Sequence, residues 1–200
     1  MKNIVIIAFG RFNPISVGHK KMAKFMKQKA DELNGQALVY LSHSYDGKDS
    51  GKFKLKKCKN PLPYDKKLQF VRDALDQFVT IIESDAINIY QALHECYEQG
   101  FTEAYVISGD DRLEDYDILK SYNGYKGDES KYFKFKKLEI ISAGVRDESS
   151  NDPTEQASAS LLRQCVKDLN YDRFEQFAGT ETLTEEMYDE LLFQMGIELN

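Results

Sequence analysis

An unbroken apolar run, Ile4-Val5-Ile6-Ile7-Ala8-Phe9, leads into a Gly/Pro turn, Gly10-Arg11-Phe12-Asn13-Pro14, and Gly18-His19 then opens a helical pattern. A strand this uniformly apolar is buried, as in a parallel sheet with helices on both faces. The helix that follows carries Met22, Phe25, Met26, Ala30 and Leu33, close to the 3.6-residue period of a buried stripe. Strand, tight turn and helix in this order gather backbone N–H groups and an imidazole around the positive end of a helix, where phosphate binds readily.

The alternation continues along the chain. Asn34-Gly35 stops the first helix, and Ala37–Leu41 reads as a second strand. A long polar connection from Ser42 to about Pro63 is rich in Gly, Ser and Lys, and loops of that length are functional or disordered. A helix with Leu68, Val71, Ala74 and Leu75 follows, then a short strand at residues 78–81 and a helix from Ile87 to Glu98. Strands are predicted at Ala104–Ser108, which Gly109 ends, and at Leu138–Ser142. From Thr154 on the pattern is helical throughout, with one helix over residues 155–168 and a second carrying Leu183, Met187, Leu191 and Met195. The expected fold is α/β: a Rossmann-like, doubly wound, mostly parallel five-stranded sheet with a helical C-terminal extension. Residues 1–168 form the expected core, and residues 169–200 an extension packed on it.

Composition narrows the function classes. A net charge of −6 argues against a general nucleic-acid binder. Cys58, Cys96 and Cys165 form no C-x-x-C pair, which suggests a reducing compartment and no zinc site. Without a signal-peptide pattern or a run of transmembrane length, a cytoplasmic protein is expected, with no membrane partner. The last twenty residues hold six acids and no Lys or Arg, a poor surface for phosphate or membrane. Their apolar stripe packs on the body or serves a homo-oligomer contact.

Residues 10–19 have the form G-R-F-x-P-x-S-x-G-H, which resembles the first signature of the HxGH nucleotidylyltransferase superfamily. The G-R-F-x-P opening is most similar to archaeal-type nicotinamide-mononucleotide adenylyltransferases. Ser16 stands where most members carry the first His, and phosphopantetheine adenylyltransferases place a Thr there. Ala157–Arg163 resembles the second signature, I-S-S-T/S-x-x-R. Gly109-Asp110-Asp111-Arg112 resembles a G-x-D nucleotide contact, and Lys59-Asn60-Pro61-Leu62 a substrate-side segment. The G-R-F-N-P form with Ser16 is also similar to bacteriophage-encoded members.

This resemblance implies transfer of an NMP group, AMP favoured, from a nucleoside triphosphate to the phosphate of a small molecule such as nicotinamide mononucleotide, with release of pyrophosphate. A cytidylyltransferase, a phosphopantetheine-type enzyme and a nucleotide-binding protein without turnover are the alternatives. His19, Arg163 and Ser16 take the catalytic positions. Gly10, Arg11, Phe12, Asn13, Gly18, Asp111, Ser158 and Ser160 face the nucleotide, while Lys59, Asn60, Arg112 and Arg146 are weaker candidates for the acceptor side. Magnesium is implied as the cofactor bridging the phosphates, with few ligands from the protein.

Each residue also has a plain structural reading. Ser158 alone reads as a helix N-cap, Arg163 alone as a surface arginine, and Asp110-Asp111 as acids meeting a helix dipole. Lys48, Lys52, Lys54, Lys56, Lys57 and Lys59 read as a solvated loop. His43 reads as a satisfied loop histidine or one facing the cleft. Tyr132, Phe133 and Phe135 read as packing rather than a base-stacking platform.

Overall fold

The computed structural model describes residues 3–54, 58–109, 113–144 and 152–198. The chain divides into two compact units. Met1–Gly10, Met22–Tyr40 and Phe78–Arg146 make the first; Arg11–Lys21, Leu41–Gln77 and Asp147–Asn200 make the second.

The first unit contains the sheet. Its strands are β1 (Ile4–Gly10), β2 (Gln36–Leu41), β3 (Thr80–Ile82), β4 (Glu103–Ser108) and β5 (Lys137–Ser142), in the order β3-β2-β1-β4-β5. All five are parallel, as a Rossmann-like fold requires. β1 pairs with β4 from Ile4 opposite Glu103 to Ile7 opposite Val106, and β4 pairs with β5 along its whole length. Strand order reverses between β1 and β4, the topological switch point of such sheets. At that point β1 is apolar from Ile4 to Phe9, and every residue of β4 is buried, Glu103 and Ser108 included.

One side of the sheet packs on α3 (Ile89–Glu98), where Val5, Ile7, Ala104 and Val106 meet Ala92, Leu93 and Cys96. Phe133 and Phe135 complete this core, and Tyr97 meets the Phe135 ring edge-on, so these aromatics are packing as expected. Asn88 caps α3 through its side chain, which accepts from the Gln91 N–H. In α1 (Val17–Leu33), Met26 and Ala30 of the expected stripe are buried, Met22, Phe25 and Leu33 only partly so, and Ala23 is buried beside them. Gly35 lies so close to β1 that a Cβ there would come 2.9 Å from the Ile4 carbonyl oxygen.

The second unit is helical apart from its loops. It holds α2 (Tyr64–Leu75), then α4 and α5 (Leu113–Asp117 and Leu119–Tyr122, both in the first unit) intervene in chain order before α6 (Pro153–Gln156), α7 (Ala159–Lys167), α8 (Tyr171–Phe177) and α9 (Thr184–Gln194). Tyr171, Phe174 and Tyr188 join α8 to α9 through edge-on and stacked rings. Two expectations need correction. The helix predicted over residues 155–168 is two helices, because Ser158 takes an extended backbone (φ −139°, ψ 152°) and its Oγ accepts from the Leu161 N–H, starting α7 afresh. The chain after Thr154 is also not wholly helical: residues 178–183 run as a strap, with the Thr182 N–H given to the side chain of Asp73 rather than to a helix ladder. Where it is described, the polar connection carries a short 3-10 turn at Lys48–Ser50.

Lys67 of α2 is fully buried, and its ammonium donates to the carbonyl oxygens of Ser42 and Ser44. Burial lowers its pKa from 10.5 to about 8. Above pH 8 the unfolded chain therefore holds this proton and the folded chain loses it, so stability gains from rising pH by at most about 1.4 kcal/mol per unit. Burial pushes Cys58 and Cys96 from 9.0 up to about 12, which acts in the opposite sense above pH 9. Between pH 8 and 9, chemical denaturation is expected to show a rising Lys67 contribution that Lys67→Met removes.

Candidate functional site

The turn after β1 is built from its own side chains. Phe12 takes a left-handed backbone (φ 43°), uncommon for a bulky residue, and its buried ring lies 4.8 Å from the His19 ring. Asn13 is buried and pairs with the backbone of Leu62 as a strand would: Nδ2 donates to the carbonyl at 3.1 Å, and Oδ1 accepts from the N–H at 2.9 Å. Ser16 starts α1, its carbonyl accepting from the N–H groups of His19 (2.9 Å) and Lys20 (3.3 Å).

Ser16 also sets the state of His19. Its backbone N–H donates to His19 Nδ1 at 3.1 Å, and its hydroxyl lies 2.9 Å from the same nitrogen. A backbone N–H can only donate, so Nδ1 is the acceptor and the ring proton of the neutral imidazole sits on Nε2. His19 is thereby a defined N–H donor on the first turn of a helix. Gly18, one residue earlier, admits other backbone: a Cβ there would stand 3.1 Å from the carbonyl oxygens of both Thr154 and Ala157.

That approach brings the second signature to the first. Arg163 of α7 donates from Nη1 to the Asn13 carbonyl at 2.6 Å and from Nη2 to Ser160 Oγ at 3.1 Å. Burial lowers the guanidinium's pKa, and the positive charge of Arg11 lowers it further, against weaker opposing effects of Cys58 and Asp46. Two guanidinium groups held within electrostatic reach repel unless an anion lies between them. Ser158 is occupied as the α7 cap, and Ser160 as a support for Arg163.

Asp46 organises the polar connection, and sequence reasoning missed it; its one signal was the Asp46-Gly47 dipeptide, a turn marker. Its carboxylate accepts from the N–H groups of Lys59 (3.1 Å) and Asn60 (2.7 Å) and from the Cys58 thiol (3.2 Å). Burial pushes the Asp46 carboxyl up, but these hydrogen bonds together hold it below the usual carboxylate range. Lys59 contributes its backbone here while its side chain is exposed. His43 stacks on Tyr64 with ring centroids 4.0 Å apart. Lys48 lies over the Phe193 ring, and Lys52 and Lys54 are exposed. Asp110, Asp111, Arg112, Arg146, Lys56 and Lys57 lie outside the described residues. Among the described residues no group of three or more His, Cys, Asp or Glu could hold a metal ion. No described helix is long and apolar enough to cross a membrane.

Asn13 links the turn to both Leu62 and Arg163, so Asn13→Ala leaves two buried backbone groups of Leu62 unpaired. We expect it to cost about 2–4 kcal/mol in urea denaturation, one to two unsatisfied-group penalties.

The family model described as cytidylyltransferase-like matches residues 7–164. The nicotinic acid mononucleotide adenylyltransferase of Plasmodium falciparum, in a structure complexed with NaAD, is 15% identical; the match covers 99% of this chain and 100% of that one, with a TM-score of 0.59. The same enzyme complexed with APC is 16% identical, over 96% and 98%, with a TM-score of 0.56. At these identities the likeness is one of fold. Comparison with curated proteins finds no match. From residue 7 to residue 164 the chain belongs to the cytidylyltransferase-like family of the nucleotidylyltransferase superfamily.

Proposed function

We propose that the protein transfers the NMP group of a nucleoside triphosphate, with ATP favoured, to the phosphate of a small-molecule acceptor, nicotinamide mononucleotide being the first candidate. The carrying observation is the joining of the two signatures within one unit: His19 with its proton on Nε2, and Arg163 fixed to the Asn13 carbonyl beside Arg11. The similar Plasmodium structures, complexed with NaAD and APC, support a nucleotide ligand.

The chemistry follows from the donors. An oxygen of the acceptor phosphate attacks the α-phosphorus of the triphosphate; the bond from that phosphorus to the bridging oxygen breaks, and pyrophosphate leaves with the electron pair. The nucleophile is already anionic, so no side chain need remove a proton. Catalysis is then positioning and charge stabilisation. His19 Nε2–H donates to an α-phosphate oxygen, and the N–H groups of the first turn of α1 add to the same field. Arg163, with Arg11 beside it, receives the charge that grows on the departing pyrophosphate. Ser16 fixes the imidazole rather than touching phosphate. Ser158 and Ser160 serve the cradle through α7: one caps it and the other steadies Arg163.

Magnesium is proposed to arrive with the triphosphate and neutralise its phosphates. The described donors around His19 and Arg163 are N–H groups, suited to anions, and the nearby carboxylate of Asp46 is committed to Lys59, Asn60 and Cys58. Asn60 Oδ1 is buried without a donor among the described residues, which supports Asn60 on the acceptor side. In this reading residues 1–168 are the catalytic core and residues 169–200 a helical addition.

Pyrophosphate release from ATP or CTP, assayed with a panel of phosphorylated acceptors, tests the proposal. His19→Ala and Arg163→Ala are each expected to lower turnover on the order of 10²-fold or more while the far-UV circular dichroism stays that of the wild type. Full activity in His19→Ala would remove that residue from the mechanism. Nucleotide binding with no pyrophosphate from any acceptor would replace an enzyme with a nucleotide-binding protein.

A further inference from the structure

The strap at residues 178–182 lies along the turn that carries His19. Ala178 and Ser16 form an antiparallel bridge, and the Gly179 N–H donates to the Ile15 carbonyl at 3.3 Å. Gly179 sits so close that a Cβ would stand 2.8 Å from both the carbonyl carbon and the carbonyl oxygen of Ser16. That carbonyl accepts the His19 and Lys20 N–H groups, so any side chain at position 179 displaces the start of α1.

The other end of the strap is fixed to α2. The Asp73 carboxylate accepts from the Glu181 N–H at 2.6 Å, the Thr182 N–H at 3.0 Å and the Thr182 hydroxyl at 2.6 Å. Burial would raise the Asp73 carboxyl, but these bonds with the Leu183 N–H hold it below the usual carboxylate range. Charge-assisted bonds to backbone N–H groups are the stronger kind. Glu181 reaches back to the Lys20 ammonium in the first turn of α1, and the Gln77 amide donates to the same carboxylate at 3.2 Å. The Lys20–Glu181 pair is partly exposed and adds little by itself. The firm points are Asp73 at one end and the Gly179–Ser16 approach at the other.

We propose that Asp73 and Gly179 are positioning residues for His19: they press the strap against Ser16, whose N–H and hydroxyl hold the imidazole with its proton on Nε2. The kinetic consequence rests on the nucleotidylyl-transfer reading above; the structural consequence does not. Without the strap, the Ser16 N–H no longer fixes Nδ1, and the ring samples both tautomers and other rotamers. Neither residue touches substrate. The strap lies beyond residue 164, so it is an addition to the part of the chain that the family model matches.

The test uses the full chain with Gly179→Ala and Asp73→Asn, and Lys66→Ala as a control at a surface pair with Glu186. Nitrogen-15 NMR of the His19 ring reads the tautomer directly, whatever the activity. The wild type and Lys66→Ala are expected to show Nδ1 unprotonated and Nε2 protonated, and the two strap variants to show signals averaged between the tautomers. In turnover, the strap variants are expected to lose kcat on the order of 10²-fold, as a misplaced group does, with KM for the triphosphate changed less than threefold. If Gly179→Ala does not fold, Asp73→Asn decides. Wild-type His19 signals in a folded strap variant would overturn the proposal. Averaged signals in a protein without turnover would uphold the strap and overturn the enzyme reading instead.

Discussion

The donation from the Arg163 guanidinium to the Asn13 carbonyl is the interaction on which the site depends. It joins residues 150 positions apart and brings a cation of α7 to the turn that precedes His19. Asn13 in turn holds Leu62 through the nitrogen and oxygen of its carboxamide, so three distant pieces of chain meet at one buried residue, Arg163 at its backbone and Leu62 at its side chain. Loss of any partner leaves buried polar groups unpaired, which costs more than making the bond gains. This asymmetry makes the arrangement specific.

Burial and the like charge of Arg11 both work against the Arg163 cation. Arg163 is half-buried, feels Arg11 as a like charge, and among the described residues bonds a carbonyl and a hydroxyl rather than a carboxylate. His19, with its proton on Nε2, and the start of α1 add further positive potential. The Asp46 carboxylate is spent on shaping the loop at Lys59 and Asn60. Such a set of donors suits a polyanion whose charge moves during reaction, and the stability given up in holding it together is what preorganisation costs.

The sheet was legible in sequence because its strands are short apolar runs bounded by turn residues, and its central pair has no polar face to confuse the pattern. The His19 turn and the Arg163 helix were legible by resemblance. What Ser16 does was not: its hydroxyl was read as a replacement for an imidazole, whereas its position one turn before His19 lets its backbone N–H fix the ring. The break at Ser158 was half legible: Ser158 read as an N-cap, but Glu155–Gln156 and Leu161–Lys167 are both good helix segments, and one helix was expected through them. Asp46 carried only the turn signal of Asp46-Gly47, and Lys67, Asp73 and Gly179 carried none, since each acts through backbone partners elsewhere in the chain. Sequence periodicity reports which face of an element is buried, and it is silent on such pairings.

The central claim is that one bound triphosphate engages the His19 ring and the Arg163 guanidinium together. Titration of the full chain with a non-hydrolysable ATP analogue, followed by nitrogen-15 NMR of side chains assigned by His19→Gln and Arg163→Lys, measures this directly. The account predicts that the His19 Nε2 and Arg163 guanidinium signals shift with one common midpoint. Saturation of the protein with the analogue while either signal stays unmoved would contradict it.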